Sequence, residues 1–159
     1  NLHLGDARAT EMGEQGEWKV GQLVRERYGN DAVLVGFSTY TGTVTAASNW
    51  GGDAERKKVR QAMQHSYERL FHETGLPCFL LIPRENEKLN ASLRTQRLER
   101  AIGVIYRPES ERMSHYFHAR LSDQFDAVLH FDETRAVEPL ERNAKWETGE
   151  VPETFPTGV

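Results

Sequence analysis

Ala32-Val33-Leu34-Val35-Gly36-Phe37 is a short apolar run, rich in β-branched residues and bounded by turn formers. A run of this length and composition is a strand, and apolar character at nearly every position predicts burial on both faces. Cys78-Phe79-Leu80-Leu81-Ile82, closed by Pro83, has the same character, as do Ala101 to Tyr106 and Phe125 to Phe131. Four such strands set the frame, and helical patterns fill the intervals. From Glu17 to Tyr28 the residues Val20, Leu23, Val24 and Tyr28 recur at helical spacing, and Gly29-Asn30-Asp31 supplies a stop. Asp53 to Thr74 carries the clearest helical stripe, with Val59, Met63, Tyr67, Leu70 and Phe71 on one side and Arg56, Lys57, Arg60, Gln64 and Glu68 on the other. Gly75 and Pro77 end it. Leu89, Leu93 and Leu98 predict a further short helix.

Continuous apolar strands alternating with helices predict an α/β fold, a mainly parallel sheet layered with helices and joined by right-handed crossovers. With 159 residues the chain has the size of one domain or of a piece of a larger one. Residues 1–140 form the body. The Glu-, Lys-, Thr-, Gly- and Pro-rich residues 141–159 read as a surface strap or linker tail. The chain opens on Asn1 with His3, Asp6 and Arg8 crowded behind it, which fits the end of an interior strand of a longer chain.

Twenty Lys and Arg against 24 Asp and Glu give a net charge of −4, so nothing suggests a phosphate-backbone footprint, and no nucleic-acid partner is expected. No apolar stretch approaches the ~20 residues of a membrane span, so no membrane partner is expected either. The single cysteine, Cys78, lies in an apolar run and reads as a buried reduced thiol. A soluble, reducing, cytoplasmic setting follows.

In parallel α/β sheets ligands collect beyond the carboxyl ends of the strands. Ser38 to Ser48 follows the first strand and is dense in hydroxyls, including Thr41 beside Tyr40. It is either a hydroxyl-rich turn that donates to an ester oxygen or a Thr-rich strand. Arg107 to His118 follows the third strand and gathers Arg107, Glu109, Glu111, His115, Tyr116 and His118. These groups suit anion holding and proton transfer, or else a solvated loop around a buried Tyr116-Phe117 anchor. His3 and Asp6 lie three positions apart, a spacing that lets a carboxylate fix an imidazole tautomer. His65 and His72 lack a third ligand and read as surface residues, and His130 reads as a sheet-end histidine bonded to a carboxylate. No Gly-x-Ser-x-Gly elbow, zinc spacing or phosphate loop is present, so no metal or cofactor is called for.

His3-Leu4-Gly5-Asp6-Ala7-Arg8-Ala9-Thr10-Glu11-Met12-Gly13, Val20 to Arg25, Gly42-Thr43-Val44-Thr45-Ala46-Ala47, Arg100 to Pro108 and His115-Tyr116-Phe117 onward to Gln124-Phe125-Asp126-Ala127 follow one another in an order that resembles the erythromycin esterase family, bacterial esterase-like and succinoglycan-biosynthesis proteins linked to antibiotic resistance. Asn1-Leu2-His3 match the last three positions of that family's His-Asn-x-His run. The resemblance implies that the chain is the C-terminal part of an esterase-like domain. It further implies a carboxylic-ester or macrolide-lactone hydrolase in which a histidine in the N-terminal half activates water, without a metal. His3 is then a catalytic histidine, and Arg107 a candidate oxyanion partner. By position, His115 joins it as catalytic, and Asp6, Arg8, Tyr40, Thr41, Arg107, Glu109 and Tyr116 as substrate contacts. Tyr40 stands where relatives are expected to carry a histidine. As a fragment the chain is expected to be inactive and to self-associate through a bared sheet edge. The competing readings are a noncatalytic small-molecule binding or regulatory module with the same pocket, and a remnant without function.

Overall fold

The protein is described by a computed structural model covering residues 3–140 and 144–149. Two short helices, α1 (Glu11–Glu14) and α2 (Val20–Tyr28), precede the strands β1 (Val35–Ala46) and β2 (Glu55–Val59). There follow α3 (Tyr67–His72), β3 (Cys78–Leu81), α4 (Glu87–Leu93), β4 (Arg97–Arg100), α5 (Glu111–Ser114), β5 (Tyr116–Ala119), α6 (Leu121–Gln124), β6 (Ala127–Thr134) and α7 (Ala144–Thr148). Four strands form one sheet in the order β2-β1-β6-β3, and β4 and β5 form a separate pair.

The fold is mixed α/β, but the expected mainly parallel sheet is not what forms. Only β1 and β6 run parallel, in register from Val35 opposite Ala127 to Gly42 opposite Thr134, while β2 and β3 join antiparallel. The reason lies in a turn signal: Asn49-Trp50-Gly51-Gly52, with Gly51 at φ +72°, folds β2 back on β1 as a hairpin. That hairpin also overrides the helix expected over Asp53 to Thr74. Lys57 and Val59 are buried while Lys58 is exposed, which is strand periodicity, and the helix starts only at Tyr67 after His65 takes φ 66°. Ser66 caps it by accepting from Arg69 N–H at 3.1 Å.

Burial on both faces is likewise absent. Gly36, Tyr40, Val128 and His130 point into the molecule, whereas Phe37 and Phe131 on the other face remain 52% and 42% exposed. Cys78 is exposed on the four-residue edge strand β3 and is not a buried thiol. At the other edge β2 presents charged residues, and Trp146 of α7 reaches across to donate to Thr45 Oγ1 at 2.9 Å. Ala101 to Tyr106 is not a strand of its own but a connection that touches the end of β1, where Tyr106 N–H donates to Ala47 O at 3.1 Å. Leu98 belongs to β4 rather than to the helix of Leu89 and Leu93.

Helix α2 forms inside its expected range, but its apolar residues Val20, Leu23 and Tyr28 face outward. Gly21 faces inward because the chain Leu4-Gly5 runs against it, so closely that a Cβ on Gly21 would lie 2.1 Å from Leu4 O. The main core is Leu34, Tyr67, Phe71, Leu93, Leu121, Phe125 and Val128, and a smaller one holds Ala46, Val59 and Tyr106. At its centre the Tyr67 hydroxyl sits among the carbonyls of Leu93, Thr95 and Ala119 and accepts from Leu121 N–H. Burial first of all raises its pKa to about 12, so it stays a donor.

Candidate functional site

The residues singled out by sequence do not converge on one place. His3 is exposed; its carbonyl accepts from Gly21 N–H at 3.1 Å, which ties it to the start of α2. Asp6 is buried beneath it but is engaged by Arg8: Oδ1 accepts from the Arg8 backbone N–H and from Nε at 3.1 and 3.0 Å, and Oδ2 pairs with the guanidinium at 2.6 Å. The guanidinium therefore holds Asp6, and no bond from Asp6 orients the His3 ring.

The Arg107 to His118 stretch folds into a clasp around a buried ion pair. Arg100 donates to Glu111 at 2.9 Å and to the carbonyls of Arg60, Thr39 and Tyr40 at 2.7 to 2.9 Å. Glu111 also accepts from the Tyr106 hydroxyl at 2.7 Å. His115 is locked into the same clasp: Nε2 accepts from Arg107 N–H at 3.0 Å, and Nδ1 donates to Ala101 O at 3.1 Å. Burial lowers the His115 pKa, so the imidazole is neutral and fully bonded. Arg107 reaches Ser48 O and Asn49 Oδ1, and Glu109 lies exposed on the outer turn. The Tyr116 hydroxyl accepts from Met63 N–H at 3.0 Å, and burial moves its pKa up to about 12.

Tyr40 and Thr41 belong to β1, so the strand alternative for the hydroxyl-rich stretch is the one observed. Thr41 Oγ1 donates to Val59 O, closing the hairpin. Tyr40 accepts from Arg69 at 2.9 Å and stacks on His72 with 3.6 Å between ring centroids. His72 meets Asp132 at 2.8 Å, and His130, fully buried, meets Ser38 Oγ at 2.8 Å. A groove of about 450 Å³ lies along β1, with Phe37, Phe131, Ile102 and Arg135 among its lining residues.

Sequence reasoning missed the most unusual group. Glu68 in α3 and Glu99 in β4 are both buried, and each leaves one carboxylate oxygen without a partner. Glu68 Oε1 accepts from Arg100 N–H at 2.9 Å, which holds it against the backbone next to Glu99. Gln124 Nε2 lies 3.5 Å from Glu99 Oε1, and its own Oε1 is buried and unpartnered. Burial first, then the charge of Glu68, pushes Glu99 up to about 8, and burial raises Glu68 as well. Lys19, buried over the Phe117 ring at 5.7 Å, has a pKa lowered by burial. The only sequence signal was Glu99-Arg100 set between Leu98 and Ala101-Ile102, charges inside an otherwise apolar run.

This acid pair lies behind the His3 segment. Asp6 N–H donates to Gln124 O at 3.1 Å, and a Cβ on Gly5 would fall 2.7 Å from Gln124 Cγ and Nε2. Among the described residues no three His, Cys, Asp or Glu are grouped to hold a metal, and no helix is long and apolar enough to cross a membrane.

Two solved structures share the fold. One is described as a succinoglycan biosynthesis protein, at TM-score 0.68 and 23% identity over 84% of this chain and 31% of that one. The other, a protein from Bacillus cereus, matches at TM-score 0.68 and 19% identity over 84% of this chain and 32% of its own. The chain thus spans about a third of the length of these structures. The family model for erythromycin esterase matches residues 1–134, and by that match the chain belongs to the erythromycin esterase family.

Proposed function

We propose that the chain supplies part of a carboxylic-ester hydrolase acting on a lactone-like substrate, with His3 as its contribution to the reacting centre. The observation that carries this reading is the placement of His3 within the family match: an exposed imidazole on a backbone fixed from two sides, by Gly21 N–H and by Gln124. In the reaction, water attacks the ester carbonyl carbon and gives its proton to a base. The carbonyl oxygen becomes an oxyanion, and the acyl–oxygen bond breaks as the leaving alkoxide takes a proton. His3 is suited to donate to the oxyanion or to the alkoxide. His115 and Arg107 hold the loop after β4 and take no direct part in the reaction. In this reading the water-activating base is supplied from outside this chain, which spans about a third of the two matched structures.

The groove beside Phe37 and Phe131 favours a second reading, a binding module without turnover. Hydrolysis of a lactone panel separates the two. A family-length polypeptide carrying this chain is expected to turn over substrate, with His3→Ala lowering kcat by about 10²–10⁴. The 159-residue chain alone is expected to show no enzymatic rate. An unchanged rate in His3→Ala overturns the role of His3, and His3-dependent turnover by the chain alone overturns the division of labour.

A further inference from the structure

We propose that Glu68 and Glu99 hold one proton between them and, through the Gln124 carboxamide, position the Leu4-Gly5 segment that carries His3. The proposal rests on the reading of His3 given above and adds positioning residues to it. Three acceptor oxygens lie buried without a donor: Glu68 Oε2, Glu99 Oε2 and Gln124 Oε1. An ionised carboxylate only accepts, so two carboxylates and a carbonyl cannot satisfy one another. One proton converts a carboxylate into a donor, and the hydrogen bond it makes removes two of the three unpaired atoms. Like charges at such burial do not both ionise.

Groups of both signs face the pair, and the Nε of Arg97 is itself buried without a partner. Glu68 and Tyr67 face the site from α3, Lys19 from the turn before α2, Arg100 through its backbone N–H, and Arg97 from the same side of β4 as Glu99. Helix α6 supplies the neutral Gln124, and β5 supplies Phe117 opposite Glu99. Gln124 joins the pair to the His3 segment by direct contact, since its side chain fills the space where any side chain on Gly5 would lie. Loss of the shared proton leaves two carboxylates competing for the Gln124 NH₂, and the carboxamide cannot turn without pushing on Gly5.

The sign of the pH effect follows from the raised acid. Glu99 titrates near 8 in the fold against 4.5 for a free side chain, so the folded state keeps a proton that the unfolded chain has lost. The stability it confers is complete below about 4.5 and is lost as pH rises through about 8.

Urea unfolding of the 159-residue chain across this range, with NMR of the His3 ring, tests the proposal. The wild type is expected to lose about tenfold in its folded-to-unfolded ratio per pH unit between about 5 and 8, a slope that Glu99→Gln removes. The His3 signal should show an inflection near 8 that vanishes in the same variant. If Glu99→Gln does not fold, Glu68→Gln removes the like charge and should move that inflection to lower pH. A slope that survives the substitution overturns the shared proton. A lost slope with a His3 signal blind to it overturns the positioning. Neither measurement uses substrate, so failure of esterolysis with the coupling intact rejects the reaction and leaves the pair standing.

Discussion

Glu99 and Arg100 are joined by one peptide bond, yet they end in opposite circumstances. Strand alternation sends them to opposite sides of β4. Arg100 enters a clasp in which its bonds run to one carboxylate and three carbonyls. Glu99 enters a place with a second carboxylate, a carboxamide 3.5 Å away and an oxygen left unpaired. Both are almost fully buried, so burial does not separate them; completeness of partners does. A closed polar network fixes one arrangement of the chain, while an incomplete one keeps a group whose charge responds to its surroundings. The clasp holds His115 and Arg107, two of the residues that suit chemistry in the sequence, and their bonds are spent on holding the fold.

The largest effect should come from opening the clasp. Glu111→Ala leaves the Arg100 guanidinium buried beside carbonyls alone and deprives the Tyr106 hydroxyl of its acceptor. A loss of about 3–5 kcal/mol in unfolding free energy is expected from urea titration. A loss below about 1 kcal/mol would mean that water replaces Glu111 and that the two sides of β4 do not differ as described. Tyr67→Phe asks less of the fold. It removes the hydroxyl that accepts from Leu121 N–H and donates its one proton among the carbonyls of Leu93, Thr95 and Ala119, at a cost of about 1–3 kcal/mol. Because Tyr67 also borders Glu99, a cost that grows with pH would tie the two sides together, whereas a constant cost keeps them separate.

Some of this was legible in the sequence. Helix α2, the strand core of β1, β3 and β6, and the short helix at Leu89 and Leu93 all follow from local periodicity and stop signals. The stripe at Val59, Met63, Tyr67 and Phe71 misled, because a spacing of four fits a helix and also fits a strand, a loop and a helix placed end to end. Only the Asn49-Trp50-Gly51-Gly52 turn separated those cases. The site was harder still. Residue types in the Arg107 to His118 stretch say which chemistry is available but not whether their bonds are already used. Glu68 and Glu99 lie 31 positions apart and meet only when α3 packs on β4, a contact with no sequence period. His3 was found by family resemblance rather than by spacing, and Asp6, three positions away, binds Arg8 instead.

Phe37 and Ser38 are likewise neighbours that strand alternation turns opposite ways. Ser38 points inward to His130, and Phe37 points out over the groove. Because Phe37 is 52% exposed, Phe37→Ser should cost about 1 kcal/mol of unfolding free energy or less. Phe71→Ala, in the core on the covered side, sets the scale at about 3–5 kcal/mol. Both measurements use the 159-residue chain. A cost for Phe37→Ser that approaches the Phe71 value would mean that this face is covered in solution by another copy, and it would then fall on dilution. A small, concentration-independent cost means that no second copy of the 159-residue chain covers this face, and the difference from Phe71→Ala then measures how far the two faces of the sheet differ in burial.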